Sequence, residues 1–71
     1  MTDIKLLKAK MALAGFFNFT TDLMNLINCS RGSASHKING KADFSQKEIV
    51  MLTTALNLTG DEVKQIFINE V

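Results

Sequence analysis

Residues 20–41 read TTDLMNLINCSRGSASHKINGK, and the fold turns on how this stretch divides. Leu23, Met24 and Ile27 recur at helical spacing, so residues 21–27 are expected to form a short amphipathic helix capped near Thr20. Asp22 falls in its first turn, where the positive end of the helix dipole favours a carboxylate. Asn28 tolerates the left-handed backbone that a tight helix-to-helix turn requires. Ser30 is placed to cap a second helix, which runs to Ile38 and stops at Asn39-Gly40. That second helix is made of small and basic residues, among them Arg31, Gly32, Ser33, Ala34, Ser35, His36 and Lys37. So little bulk gives it a poor packing face. One side is expected to lean on a scaffold and the other to meet a partner.

Working outward, Thr2 or Asp3 is expected to cap a first helix with Ile4, Leu7, Met11 and Ala14 inward and Gly15 as its left-handed stop. Phe16, Phe17 and Phe19 then crowd the linker. Packing is the first reading of this cluster, with Phe19 stapled onto Met24 across the Thr20 cap. An exposed patch that docks a protein is the second. Toward the carboxyl end, Ser45-Gln46-Lys47-Glu48 and Thr59-Gly60-Asp61-Glu62 both have the spacing of a capping box. They open two further helices, one with Ile49, Leu52, Ala55 and Leu56 inward, the other with Val63, Ile66 and Phe67 inward. Phe44 is expected to plug the core. The fold class is therefore all-α, a compact bundle of five short helices forming one domain over residues 1–71, with a helix-turn-helix at about 20–41.

Bulk properties narrow the function. At 71 residues and 46% hydrophobic content, the chain can build one small core. Its single cysteine excludes a disulfide framework and suits a reducing cytoplasm; Cys29 is expected to be a small, buried hydrophobe. No apolar run approaches the roughly 20 residues that span a bilayer, so no membrane partner is expected. Net charge is only +1, but it is unevenly spread. Residues 29–47 carry Arg31, Lys37, Lys41 and Lys47 against Asp43 alone, whereas residues 48–71 carry Lys64 against Glu48, Asp61, Glu62 and Glu70. Ser35 and His36 are adjacent on a helix, where neighbouring side chains diverge, and no acid completes a catalytic set. No enzyme activity, metal or cofactor is expected.

A helix-turn-helix reads DNA by laying its second helix in the major groove. The residues expected to reach base edges are Ser30, Arg31, Gly32, Ser35 and His36, with Arg31 able to make two parallel hydrogen bonds to guanine. Thr20, Thr21, Ser33, Lys37, Asn39, Gly40 and Lys41 are placed to hold phosphates. Phe16, Phe17, Phe67, Ile68 and Val71 are the candidates for a protein interface, the last three through a homodimer.

The run SRGSASHKINGKADFSQKEI, residues 30–49, resembles the recognition helix and following turn of small phage regulators of the Cro/CI family. The similarity extends over about residues 4–68, and KINGKADF is its most specific part. The resemblance implies a lambda-repressor-like DNA-binding domain in the cytoplasm of a bacterial host. It implies transcription regulation in a lysis/lysogeny genetic switch, through double-stranded operator DNA bound by the third helix. The alternative it carries is an antirepressor, which binds the DNA-binding domain of a partner CI-type repressor and blocks its DNA contacts. Three positions depart from the family. Met24 stands where a small residue is usual, Asn28 where Gly is usual, and Ala34 where Val, Ile or Phe is usual. The family positions of Met24 and Ala34 pack together, so the paired exchange conserves volume, which cores tolerate best. The Phe-rich linker is also longer than the family's.

Overall fold

Five polar side chains set where the helices begin. In the computed structural model, which describes residues 2–68, Asp3, Asn18, Ser30, Ser45 and Thr59 cap α1 (Ile4–Leu13), α2 (Phe19–Leu26), α3 (Arg31–Ile38), α4 (Gln46–Leu56) and α5 (Gly60–Phe67). Ser45 and Thr59 close full capping boxes: each hydroxyl accepts the backbone N–H three residues on, and Glu48 or Glu62 accepts the cap's own N–H. Caps of this kind stabilise a helix end by about 1 kcal/mol. No strand occurs among the described residues, and the class is all-α.

Left-handed residues set where the helices end. Gly15, Asn28, Gly40 and Asn57 all have φ between 53° and 90°. Immediately after each, a backbone N–H turns back onto the helix: Phe16 to the Met11 carbonyl, Cys29 to Met24, Lys41 to His36 and Leu58 to Thr53, at 2.8–3.1 Å. These are Schellman closures, which satisfy carbonyls the helix end would otherwise leave unpaired. Gly15, Asn28 and Gly40 stand where the sequence placed a stop.

Helices of eight to eleven residues are too short to persist alone in water. They hold because all five reach one core. Leu7, Met11, Leu23, Leu52 and Ile66 are its fully buried large side chains, joined by Ile27, Ala34, Ile38, Phe44, Leu56 and Phe67. Met24 and Cys29 pack against the same cluster as the fully buried Ala34. No polar side chain among the described residues is buried. The two ends of the fold meet where the Asp3 N–H donates to the Ile66 carbonyl at 2.6 Å.

Several expectations need correction. The cap of α2 is Asn18, two residues before Thr20, and Phe19 is the first helical residue instead of a staple outside it. Asn18 wins because its side-chain oxygen accepts from the Thr21 N–H while Asp22 accepts the Asn18 N–H, so both ends of the turn are satisfied. Ala14 and Ala55 face solvent, Ala14 as the C-cap of α1 and Ala55 beside the inward Leu52–Leu56 pair. Phe67 is not a free dimer surface. It is 8% exposed and meets Phe44 edge-to-face, ring centroids 5.6 Å apart. Ile68 is exposed, and Val71 lies outside the described residues.

This assignment predicts a sharp contrast between neighbours. Phe67→Ala should cost about 3–5 kcal/mol, a large share of a small domain's stability. Ile68→Ser should stay within roughly 0.5 kcal/mol. Urea unfolding followed by circular dichroism measures both; equal losses would place Phe67 outside the core.

Candidate functional site

α3 buries little of its own surface. Only Ala34 and Ile38 of its eight residues are buried, and they are four apart, so they mark one inward stripe. Gly32 and His36 are exposed on the opposite side, Arg31 is exposed in the first turn three residues before Ala34, Ser30 is exposed at the cap and Ser35 is half-buried. A Cβ built on Gly32 meets nothing within 4 Å. Gly32 is therefore not demanded by internal packing, and its smallness keeps this edge low.

α2 holds α3 in place. Arg31 donates from Nη1 to the Thr21 hydroxyl at 3.3 Å, a side-chain tie between the two helices. A guanidinium has five N–H donors, so this bond orients the group and leaves other donors outward. At the far end, Asn39 donates from Nδ2 to the Ser35 carbonyl at 2.8 Å and to its hydroxyl at 3.4 Å. Ser35 is thus engaged with Asn39. Asn39, Gly40 and Lys41 follow as an exposed corner, while Thr20 and Thr21 are half-buried in the first turn of α2. Ser33 is also half-buried, its N–H held by Ser30 at 3.2 Å. Ser30, Arg31, Gly32 and His36 are thus the exposed members of the expected base-contact set.

Lys37 departs from its expected role as a phosphate contact. Its ammonium sits 2.5 Å from both Glu48 carboxylate oxygens and 5.7 Å from the centroid of the Phe44 ring. The two side chains are only 13% and 15% exposed. Glu48 carries a double load, since it also closes the α4 capping box through the Ser45 N–H. Burial works to raise the Glu48 pKa, but the Lys37 hydrogen bonds, the Ser45 contacts and the Lys37 charge outweigh it, and the net shift is downward. Lys10 is similarly paired with Glu62, whose carboxyl is also lowered, first by that hydrogen bond and then by the Thr59 N–H.

A second feature was not visible in the sequence pattern. An open cleft of about 510 Å³ lies between Lys8 of α1, residues 17–20, and Ile38 and Asn39 at the end of α3. The three linker phenylalanines separate around it. Phe16 and Phe19 are half-buried against the core, whereas Phe17 is 73% exposed. Lys8 lies over the Phe19 ring at 5.7 Å.

Comparison with family models, with curated proteins and with solved structures gave no match. The geometry of the site therefore carries the functional argument.

The Lys37–Glu48 pair has a pH signature. A folded-state pKa below the usual carboxylate value contributes stability above that value, and the contribution is lost as pH falls through the folded pKa. Glu48→Gln and Lys37→Met should each flatten the fall in urea midpoint below about pH 5. An unchanged acid limb in both variants would show that the pair contributes nothing.

Proposed function

We propose that this protein is a phage transcription regulator of the Cro/CI type that binds operator DNA through α3, with α2 as the supporting helix of a helix-turn-helix. The observation that supports this most directly is the division of α3 into a buried Ala34–Ile38 stripe and exposed Arg31, Gly32 and His36. An edge of small polar residues around one oriented guanidinium suits hydrogen-bond recognition of base edges. Ser30, Gly32, Ser35 and His36 read with Arg31 in this proposal, while Thr20, Thr21, Ser33, Asn39, Gly40 and Lys41 contact the backbone. The setting is the cytoplasm of a bacterial host. Among the described residues, no helix is long and apolar enough to cross a membrane.

Charge supports a second reading. Of the cations within residues 29–47, Lys37 is tied to Glu48 and Arg31 is the base reader, which leaves Lys41 and Lys47 for phosphates. DNA affinity and its salt dependence both scale with that number, so a single copy binds operator weakly. The same α3 edge offered to a protein does not need many phosphate contacts. In this reading the protein is an antirepressor, whose α3 edge covers the DNA-binding domain of a partner CI-type repressor. The chain is also similar to MOR, the small modulator of repression of temperate lactococcal phages, which acts against the phage's CI repressor.

A gel shift on the intergenic operator region separates the two readings, run with this protein alone, the repressor alone and both together. The first reading expects retention by this protein alone. It expects a logarithmic salt slope of about −2 per copy, and a loss of at least about tenfold with Arg31→Ala. The second expects no retention by this protein alone, release of DNA from the repressor, and co-elution of the two proteins. If the protein neither shifts the DNA nor displaces the repressor, both readings fail.

A further inference from the structure

We infer that the cleft between Lys8, residues 17–20 and the end of α3 is a docking site for an acidic amphipathic helix of another protein. The cleft shares Thr20 and Asn39 with the proposed backbone contacts of the DNA site, but the inference rests on Lys8, Phe17 and Phe19, which that site does not use.

Its chemistry is two-sided. Phe19 and Ile38 supply apolar wall, and Phe17 stands 73% exposed beside them. Large apolar side chains grouped beside a concave surface mark an interaction site more than scattered ones do. A volume of about 510 Å³ accommodates several side chains, where a single bound ion needs far less.

The cation in the wall specifies the charge of the occupant. Lys10 and Lys37 each hold a carboxylate of this chain. Lys8 does not: among the described residues its ammonium meets the face of Phe19 and no carboxylate, and no acidic side chain lines the cleft. An ammonium held over an aromatic ring by a half-buried lysine is complemented by a carboxylate brought from outside. Asn18, Thr20 and Asn39 surround the apolar wall with groups that can both donate and accept hydrogen bonds. Apolar anchors beside carboxylates on one helical face are what such a groove takes in, with anchors at i, i+3 or i+4, and i+7. A nucleic-acid backbone would satisfy Lys8 but leave Phe17 in water, so the apolar half of the site favours protein.

Selection from a phage-displayed library of random helical peptides against the full chain tests this. The expected winners carry large apolar residues at helical spacing with Asp or Glu between them. A synthetic copy of the strongest, followed by fluorescence polarisation, should lose at least about tenfold affinity for Phe17→Ser and for Lys8→Glu. Replacing its acids by Lys should restore binding to Lys8→Glu, which a merely misfolded variant could not show. Arg31→Ala should bind the peptide unchanged, so the result stands apart from that of the operator gel shift. The proposal is overturned if no peptide is enriched, if the winners are basic, or if Phe17→Ser binds them as well as the parent. It is also overturned if Phe17→Ser and Lys8→Glu weaken retention of duplex DNA while leaving the peptide bound.

Discussion

The backbone hydrogen bond that closes a helix from beyond its end requires one residue in a conformation L-amino acids disfavour. Phe16 reaches Met11, Cys29 reaches Met24, Lys41 reaches His36 and Leu58 reaches Thr53 only because Gly15, Asn28, Gly40 and Asn57 take positive φ. Each closure also reverses the chain sharply enough for the next helix to return to the same core. With helices this short, the turns decide the angles and the core then fixes them. Asn at two of these positions adds local strain compared with Gly, which the flanking contacts of Met24, Cys29 and Leu58 with the core hold in place.

That arrangement determines what α3 has to offer. A fully buried Ala34 leaves little bulk between α3 and its neighbours, and Ile38 anchors its far end. The rest of the helix is free to be polar. Lys37 sits on neither side: its stem runs toward Phe44 and its charge is matched by Glu48, so it fastens the end of α3 to the start of α4. Charge counted along the chain therefore overstates the charge presented at this surface.

Much of the fold could be read from the chain because its signals are local. The caps at Asp3, Ser30, Ser45 and Thr59 and the stops at Gly15, Asn28 and Gly40 each depend on a few adjacent residues. Asn57 carried the same signal but stands between two leucines, inside what reads as a continuing apolar stretch. The Asn18 cap was hidden for a similar reason, by the phenylalanines on either side. Distant pairings were not legible. Nothing in helical periodicity marks Glu48 as the partner of Lys37 eleven residues earlier, or Phe67 as the neighbour of Phe44. Likewise the three linker phenylalanines are equivalent by composition, and only the path of the chain past Gly15 makes Phe17 the exposed one. Of the expected site residues, the exposure of Ser30, Arg31, Gly32 and His36 was readable, while the Lys8 cleft depends on three segments far apart in sequence.

The hydrogen bond from Asp3 to the Ile66 carbonyl has a topological meaning as well. It places the start of α1 beside the end of α5, so the path of the chain through the bundle is nearly a closed ring. In a ring, the point of opening is a matter of connectivity and not of packing. The exposed corner at residues 41–43 is another place where the ring could open with the same core inside it. The bundle is specified by which helices touch, and the order in which a polypeptide visits them is a separate variable.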